Sequence, residues 1–329
     1  MGIKYTILQK ENDMIFQNRM DPFFPKEKCS PMIQKSSGEI AEDFYAIGDE
    51  RLPAFLLIGE KPTLFDAGMD FMGPRYWQDL KRLLGDPGRL RYLFLTHSHF
   101  DHSGAAPYLK RKIPPLQIGA SAKASETLQK PSVAQFIRDL SRTAEKNFAS
   151  LIDPAEDYSF QTFAVDLLLE DGQVVNLGEG KEVRVIATPG HTRDALSFYL
   201  PHLKGLIAGE AVGIYDRQGE IQPEFLSSYD DYVASLQKLA SLDIEILVMS
   251  HLYVVTGEEA RNHIARSLEA TFSFRKRIQE ALERWGGDPE AVIKEIYHED
   301  YEVKKASIQD PEPYRINLTA KVKAIAKRP

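Results

Sequence analysis

The heptapeptide Thr96-His97-Ser98-His99-Phe100-Asp101-His102 follows directly on the apolar run Tyr92-Leu93-Phe94-Leu95. Three imidazoles and a carboxylate fall within residues 97–102 of a chain that has only 8 histidines. A solvated polar loop seldom gathers such a set. Imidazole nitrogen and carboxylate oxygen are ligands for zinc, iron, nickel or manganese. A strand end that runs into a turn lets closely spaced side chains converge from two sides, as adjacent metal ions require.

Working outward, the same arrangement recurs. The apolar run 183–187 leads into Thr188-Pro189-Gly190-His191-Thr192, 206–208 into Gly209-Glu210, and 244–249 into Ser250-His251. Upstream, 63–65 ends in Asp66-Ala67-Gly68. Strand followed by donor residue is how one sheet edge assembles a site from distant parts of a sequence. His202, His263 and His298 lack this context and are read as structural or surface residues.

Further strands are predicted at 44–47, 54–58, 116–118, 174–177 and 196–200, and helices at 74–84, 105–112 and 230–241. Residues 1–41, with Pro22, Pro25 and Pro31, read as an N-terminal arm. The core domain is expected over 42–257. Helical periodicity at 121–152 marks an insertion between its strands. From 258 to 329 the pattern is a helical extension, with Gly286-Gly287 ending a long helix, Asp288 capping the next, and a last helix over 313–326. Two runs of strands, each followed by helices, predict an α/β fold of αββα type. Two packed sheets lie inside, and the inserted and C-terminal helices cap the site.

The 329 residues carry a formal charge of −7 and are 43% hydrophobic, enough for a large core without metal or disulfides. An acidic chain without a basic stripe is not expected to bind nucleic acid. Lys110-Arg111-Lys112 and Arg275-Lys276-Arg277 read as solvated helix faces, with the rim of a site for a phosphate-bearing carrier as the alternative. Cys29 is the single cysteine, which excludes an intrachain disulfide and any Cys-x-x-Cys motif. Residues 1–13 lack the apolar core of a signal peptide, and no run approaches the ~20 apolar residues of a membrane span. A cytoplasmic protein without membrane association is expected.

His-x-His-x-Asp-His after a strand, Thr-Pro-Gly-His-Thr, a carboxylate after Gly and a final strand-end His together resemble the metallo-β-lactamase superfamily over residues 42–257. The resemblance implies that His97, His99 and His191 bind one metal and Asp101, His102 and His251 a second. Glu210 would bridge them, and Asp66 would support the site from behind. Two positions depart from the pattern. Glu210 replaces the usual aspartate, adding about 1.5 Å of reach, and Ser250-His251-Leu252 stands where Pro-Gly-His-Gly is common. Within the superfamily, 52–57, 91–109, 183–199 and 206–213 are similar to thioesterases of the quinolone-signal response type. These have an iron-containing site and terminal helices that close over the pocket.

The implied cofactors are two divalent transition metal ions, zinc or iron, with manganese admissible. A bridged pair lowers the pKa of bound water from 15.7 towards ~7, giving hydroxide as nucleophile at neutral pH. Asp101 is the expected catalytic proton relay, and Thr96 and Thr188 read either as partners that orient ligands or as strand-end hydroxyls bonded to backbone. The predicted function is metal-dependent hydrolysis of an acyl-CoA-like thioester. Phe136, Phe148, Phe272, Phe274 and Tyr297 would either roof an apolar acyl pocket or pack their helices on the core. A lactonase or other ester hydrolase, an iron-dependent oxidoreductase of the same fold, and a regulatory binding module are the alternatives. The expected partner is a small acyl substrate, and a homodimer is compatible with the sequence.

Overall fold

The computed structural model describes residues 33–35, 38–251 and 253–326. Leu52-Pro53-Ala54-Phe55-Leu56-Leu57 is apolar at every position, as suits a strand covered on both faces, and all six residues are buried. Side chains alternate along it. Phe55 and Leu57 enter one core, whereas Leu52, Ala54 and Leu56 enter another. This strand lies within a seven-stranded sheet whose spatial order is Gly38–Ala41, Phe44–Asp49, Leu52–Leu57, Thr63–Phe65, Tyr92–Phe94, Gln117–Ala120 and Leu167–Leu168. The first three joins are antiparallel and the last three parallel.

The second seven-stranded sheet runs Ile33–Lys35, Tyr253–Thr256, Ile246–Val248, Gly205–Ile207, Leu196–Leu200, Lys181–Ala187 and Val174–Gly178. Its one parallel join is between Ile246–Val248 and Gly205–Ile207. The two sheets pack face to face through aromatic side chains. Phe65 and Phe94 of the first meet Phe198 of the second, with ring centroids 5.4 and 5.7 Å away. Each such buried ring contributes about 1.5–3 kcal/mol, so the interlayer is a firm base for the residues at its rim.

Helices cover both outer faces, which completes the αββα sandwich. Gly73–Leu84, Ala106–Lys112, Ala122–Leu128 and Pro131–Ala144 lie on the first sheet through Leu80, Leu109, Leu128 and Ile137. Tyr229–Leu239, Glu258–Arg284, Pro289–Tyr297 and Pro311–Ala326 lie on the second through Leu236, Ile264, Ile296 and Val322. Ser121 caps the first inserted helix by accepting the Ala124 N–H, and Asp288 caps its helix by accepting that of Glu290. Among the described residues no helix is long and apolar enough to cross a membrane.

Within the arm expected over 1–41, the described residues form strands rather than irregular chain. Ile33–Lys35 pairs with Tyr253–Thr256, and Gly38–Ala41 pairs with Phe44–Asp49. Edge strands of three and four residues are too short to show a period of two. Residues 1–32 of the expected arm, Cys29 included, lie outside the described residues.

Candidate metal centre

The donor residues are delivered by strand ends at one rim of the sandwich. Tyr92–Phe94 leads to His97, Lys181–Ala187 to His191, Gly205–Ile207 to Glu210, and Ile246–Val248 to His251. Asp101 and His102 stand on the short helix Phe100–Ser103. The rim is stitched across the two sheets, because Leu196 N–H donates to the Thr96 carbonyl at 2.7 Å. Asp194 accepts the Ser98 N–H at 3.0 Å and so fixes the peptide between His97 and His99. Gly190 has φ 139°, and a Cβ there would lie 2.4 Å from the Tyr232 backbone, so the turn presenting His191 requires glycine.

The seven donors fall into three overlapping groups, each with ligand atoms within 4.8 Å of one another: His97, His99 and His191; His97, His102 and Glu210; and Asp101, His102 and His251. His99 Nδ1 faces His191 Nε2 at 3.2 Å. Glu210 divides between two sides of the cluster. Its Oε1 lies 2.9 Å from His102 Nε2 and 3.2 Å from His251 Nε2. Its Oε2 lies 3.6 Å from His97 Nε2 and 3.8 Å from His191 Nε2. Asp101 Oδ2 is 3.5 Å from His251 Nε2 and 4.0 Å from His102 Nε2, with about a fifth of its side chain exposed.

The outer nitrogens decide what the inner ones present. His102 Nδ1 meets Asp66 Oδ2 at 2.9 Å, His191 Nδ1 the Glu224 carbonyl at 2.9 Å, and His251 Nδ1 the Arg51 carbonyl at 3.0 Å. A carbonyl or carboxylate only accepts, so each of these Nδ1 atoms carries the proton. Each Nε2 is thereby the atom turned towards the interior of the cluster. Thr96 Oγ1 donates to Asp66 and lies 3.0 Å from His97 Nδ1, which sets His97 in the same sense. Asp66 holds this position with φ 60°, an uncommon conformation for a non-glycine residue. His97 Nε2 and Glu210 Oε2 are buried with no hydrogen-bond partner. Two unsatisfied buried acceptors pointing into a shell of imidazole nitrogens and carboxylates are what a bound cation would satisfy.

The electrostatics agree. Burial works against ionisation of Glu210, yet His102 and His97 outweigh it and hold the carboxyl well below its usual range. Burial likewise opposes ionisation of Asp101, and His102 and His251 hold its carboxyl low. Burial pushes His97 down strongly and His191 down to about 4. His102 and His251 go the other way, against the cost of burial. Glu210 and Asp101 raise His102 well above the usual range, and Asp101 and Glu210 bring His251 up to about 10. The cluster attracts positive charge at its centre.

All seven sequence-predicted donors come together, and Asp66 and Thr96 stand behind them as expected. Thr188 does not orient a ligand; its hydroxyl bonds Ser197 Oγ at 2.9 Å. His263 is a buried structural histidine between Tyr215 and the Val212 carbonyl. The basic clusters are engaged locally. Lys110 pairs with Asp166, Lys112 with Glu156, and Arg277 with Asp300. Of the five aromatic residues considered for a roof, Phe148 lies beneath the Arg51 guanidinium at 4.2 Å, and the Arg51 carbonyl holds His251. Phe274 packs on Phe225, and Tyr297 stacks on Tyr301. Phe136 and Phe272 are exposed. Sequence reasoning does not reach Asp194 or the carbonyls of Arg51 and Glu224. An aspartate three residues beyond His191 is the one available signal.

Residues 52–251 match the metallo-beta-lactamase superfamily. The chain is 27% identical over 205 residues to an atrochrysone carboxyl ACP thioesterase of Aspergillus fumigatus, covering 62% of this chain and 51% of that protein, about half its length. It is 27% identical over 264 residues to the acyl-coenzyme A thioesterase MBLAC2 of Homo sapiens, covering 74% of this chain and 90% of that protein. Among solved structures, an archaeal superfamily protein from Sulfolobus tokodaii aligns with a TM-score of 0.53 at 21% identity, over 71% of this chain and 85% of that one. A subclass B3 metallo-beta-lactamase described as having an active-site glutamic acid aligns with a TM-score of 0.51 at 20% identity, over 77% of this chain and 96% of that one. By the family match over most of its length, the chain belongs to the metallo-beta-lactamase superfamily.

Proposed function

We propose that the chain hydrolyses acyl thioesters at a binuclear metal centre. His97, His99 and His191 would hold one divalent transition metal and Asp101, His102 and His251 a second, with the Glu210 carboxylate lying between the two groups. Zinc, iron and manganese all suit these donors. Bound there, such ions supply the Lewis acidity that activates water and polarises a carbonyl.

The chain's own residues do the rest. Asp66, Thr96 and the carbonyls of Glu224 and Arg51 lock the imidazoles in one tautomer and one orientation. Asp101, partly exposed at the rim, takes the proton lost by water and returns it to the leaving sulfur. In the reaction a C–O bond forms at the acyl carbon and the C–S bond breaks. The products are a carboxylic acid and a free thiol. The helical insertion and the C-terminal extension meet beside the site, where Asn147 Nδ2 donates to Asp310 Oδ2 at 2.9 Å. A joined pair of helical blocks suits a small acyl substrate better than a polymer.

The observation that carries this reading is the match to an acyl-coenzyme A thioesterase over 90% of its length. A panel of acyl-CoA thioesters, glutathione thioesters, lactones and nitrocefin tests it. Thiol release is expected to exceed lactam turnover by orders of magnitude. Efficient lactone cleavage with every thioester inert would replace it with a lactone or ester hydrolase.

A further inference from the structure

Lys321 stands on Pro311–Ala326, far along the chain from every metal-centre residue, yet it is buried. A buried ammonium persists only with a partner. Its Nζ donates to Glu224 Oε1 at 2.7 Å, with only 7% and 3% of the two side chains exposed. The ammonium also lies 5.9 Å from the Phe274 ring, on the long helix Glu258–Arg284. The ion pair therefore fastens the terminal helices to one residue, Glu224.

Glu224 lies in an irregular stretch between Ile221–Gln222 and Tyr229–Leu239, where no strand or helix fixes its peptide. Its main chain nevertheless makes two bonds that reach the metal centre. The carbonyl holds His191 Nδ1 at 2.9 Å. The N–H donates to Tyr232 Oη at 3.3 Å, and Tyr232 in turn donates to the Glu210 carbonyl at 3.3 Å. One irregular peptide thus orients His191 directly and reaches the Glu210 carbonyl only through the Tyr232 hydroxyl. Its own anchor is the carboxylate on Lys321.

We propose that Lys321 is a positioning residue of the metal centre and that the C-terminal helix is a working part of it, acting through Glu224 on His191. This rests on the reading of His191 as a metal ligand. Loss of the anchor would free the Glu224 carbonyl and loosen His191, weakening the His97–His99–His191 group while leaving Asp101, His102 and His251 in place. A pair that merely stapled the fold would weaken both groups alike.

The test is zinc titration of the full-length, metal-stripped protein against a chromophoric chelator, with ¹⁵N shifts of the His191 ring as a local signature. Lys321→Met is expected to weaken one of the two zinc sites about 10–100-fold, to spare the other, and to shift His191 Nδ1. If Lys321→Met fails to fold, Glu224→Ala/Lys321→Met removes the anchor without leaving a buried charge, and the same selective loss is expected. Wild-type affinity at both sites in the folded variant, with His191→Ala losing one site, would overturn the positioning role. Wild-type affinity in His191→Ala itself would instead overturn the metal assignment beneath it.

Discussion

His251 donates its Nδ1–H to the carbonyl of Arg51, 3.0 Å away across 200 residues of chain. The Arg51 side chain fastens that loop, bonding Asp49 at 2.7 Å and the Asn147 carbonyl at 3.2 Å while covering Phe148. Arg51→Ala is therefore expected to weaken the metal held by His251 several-fold, towards the lower end of the about 10–100-fold effect of such supporting residues. Zinc titration should show the His97–His99–His191 group unchanged. Equal weakening of both sites would show that the loop supports the whole rim instead.

Glu210 places one oxygen on each side of the cluster, where an aspartate is shorter by about 1.5 Å. Glu210→Ala should lose the second metal preferentially, because His102 and His251 lose their nearest carboxylate oxygen. Glu210→Asp should keep at least one metal and substantial activity. Unchanged metal content in Glu210→Ala, by elemental analysis, would count against a ligand role.

Asp70 gives a prediction away from the metals. Its oxygens accept the N–H groups of Phe71 and Phe160, but burial dominates and pushes the carboxyl from 3.8 up to about 6. A carboxyl raised in the folded state contributes stability that is fully present below pH 4 and is lost as pH rises through 6. The rise from 3.8 to about 6 corresponds to roughly 3 kcal/mol. In denaturant unfolding of the metal-free protein, the stability of the wild type relative to Asp70→Asn should fall between pH 4 and 6. Asp70→Asn, neutral throughout, should lack that component, and an identical pH profile in the variant would refute it.

The candidate donor cluster was legible because its residues are marked locally. His97, His99, Asp101 and His102 sit in one short motif, and His191, Glu210 and His251 each follow an apolar run. The supporting shell was not. The carbonyls of Arg51 and Glu224 are main-chain groups, and no side-chain identity announces a main-chain role. Lys321 reads as an exposed lysine until the fold buries it against Glu224. Tyr253–Thr256 and Ile33–Lys35 are too short to show a clear alternation. Ile33–Lys35 pairs with Tyr253–Thr256, a long-range relationship that no window of sequence contains.

The most direct test of the account joins metal content to thioester cleavage in one experiment. Protein purified without added metal, its chelated form and His99→Ala are compared for bound transition metal and for thiol release from acyl-CoA. The account predicts up to two metals per chain in the wild type and activity lost on chelation and regained with zinc, iron or manganese. His99→Ala should lack one metal and be slower by at least about 100-fold, because its group keeps only two imidazoles. Full thioesterase activity in the chelated protein, or full activity and metal content in His99→Ala, would contradict it.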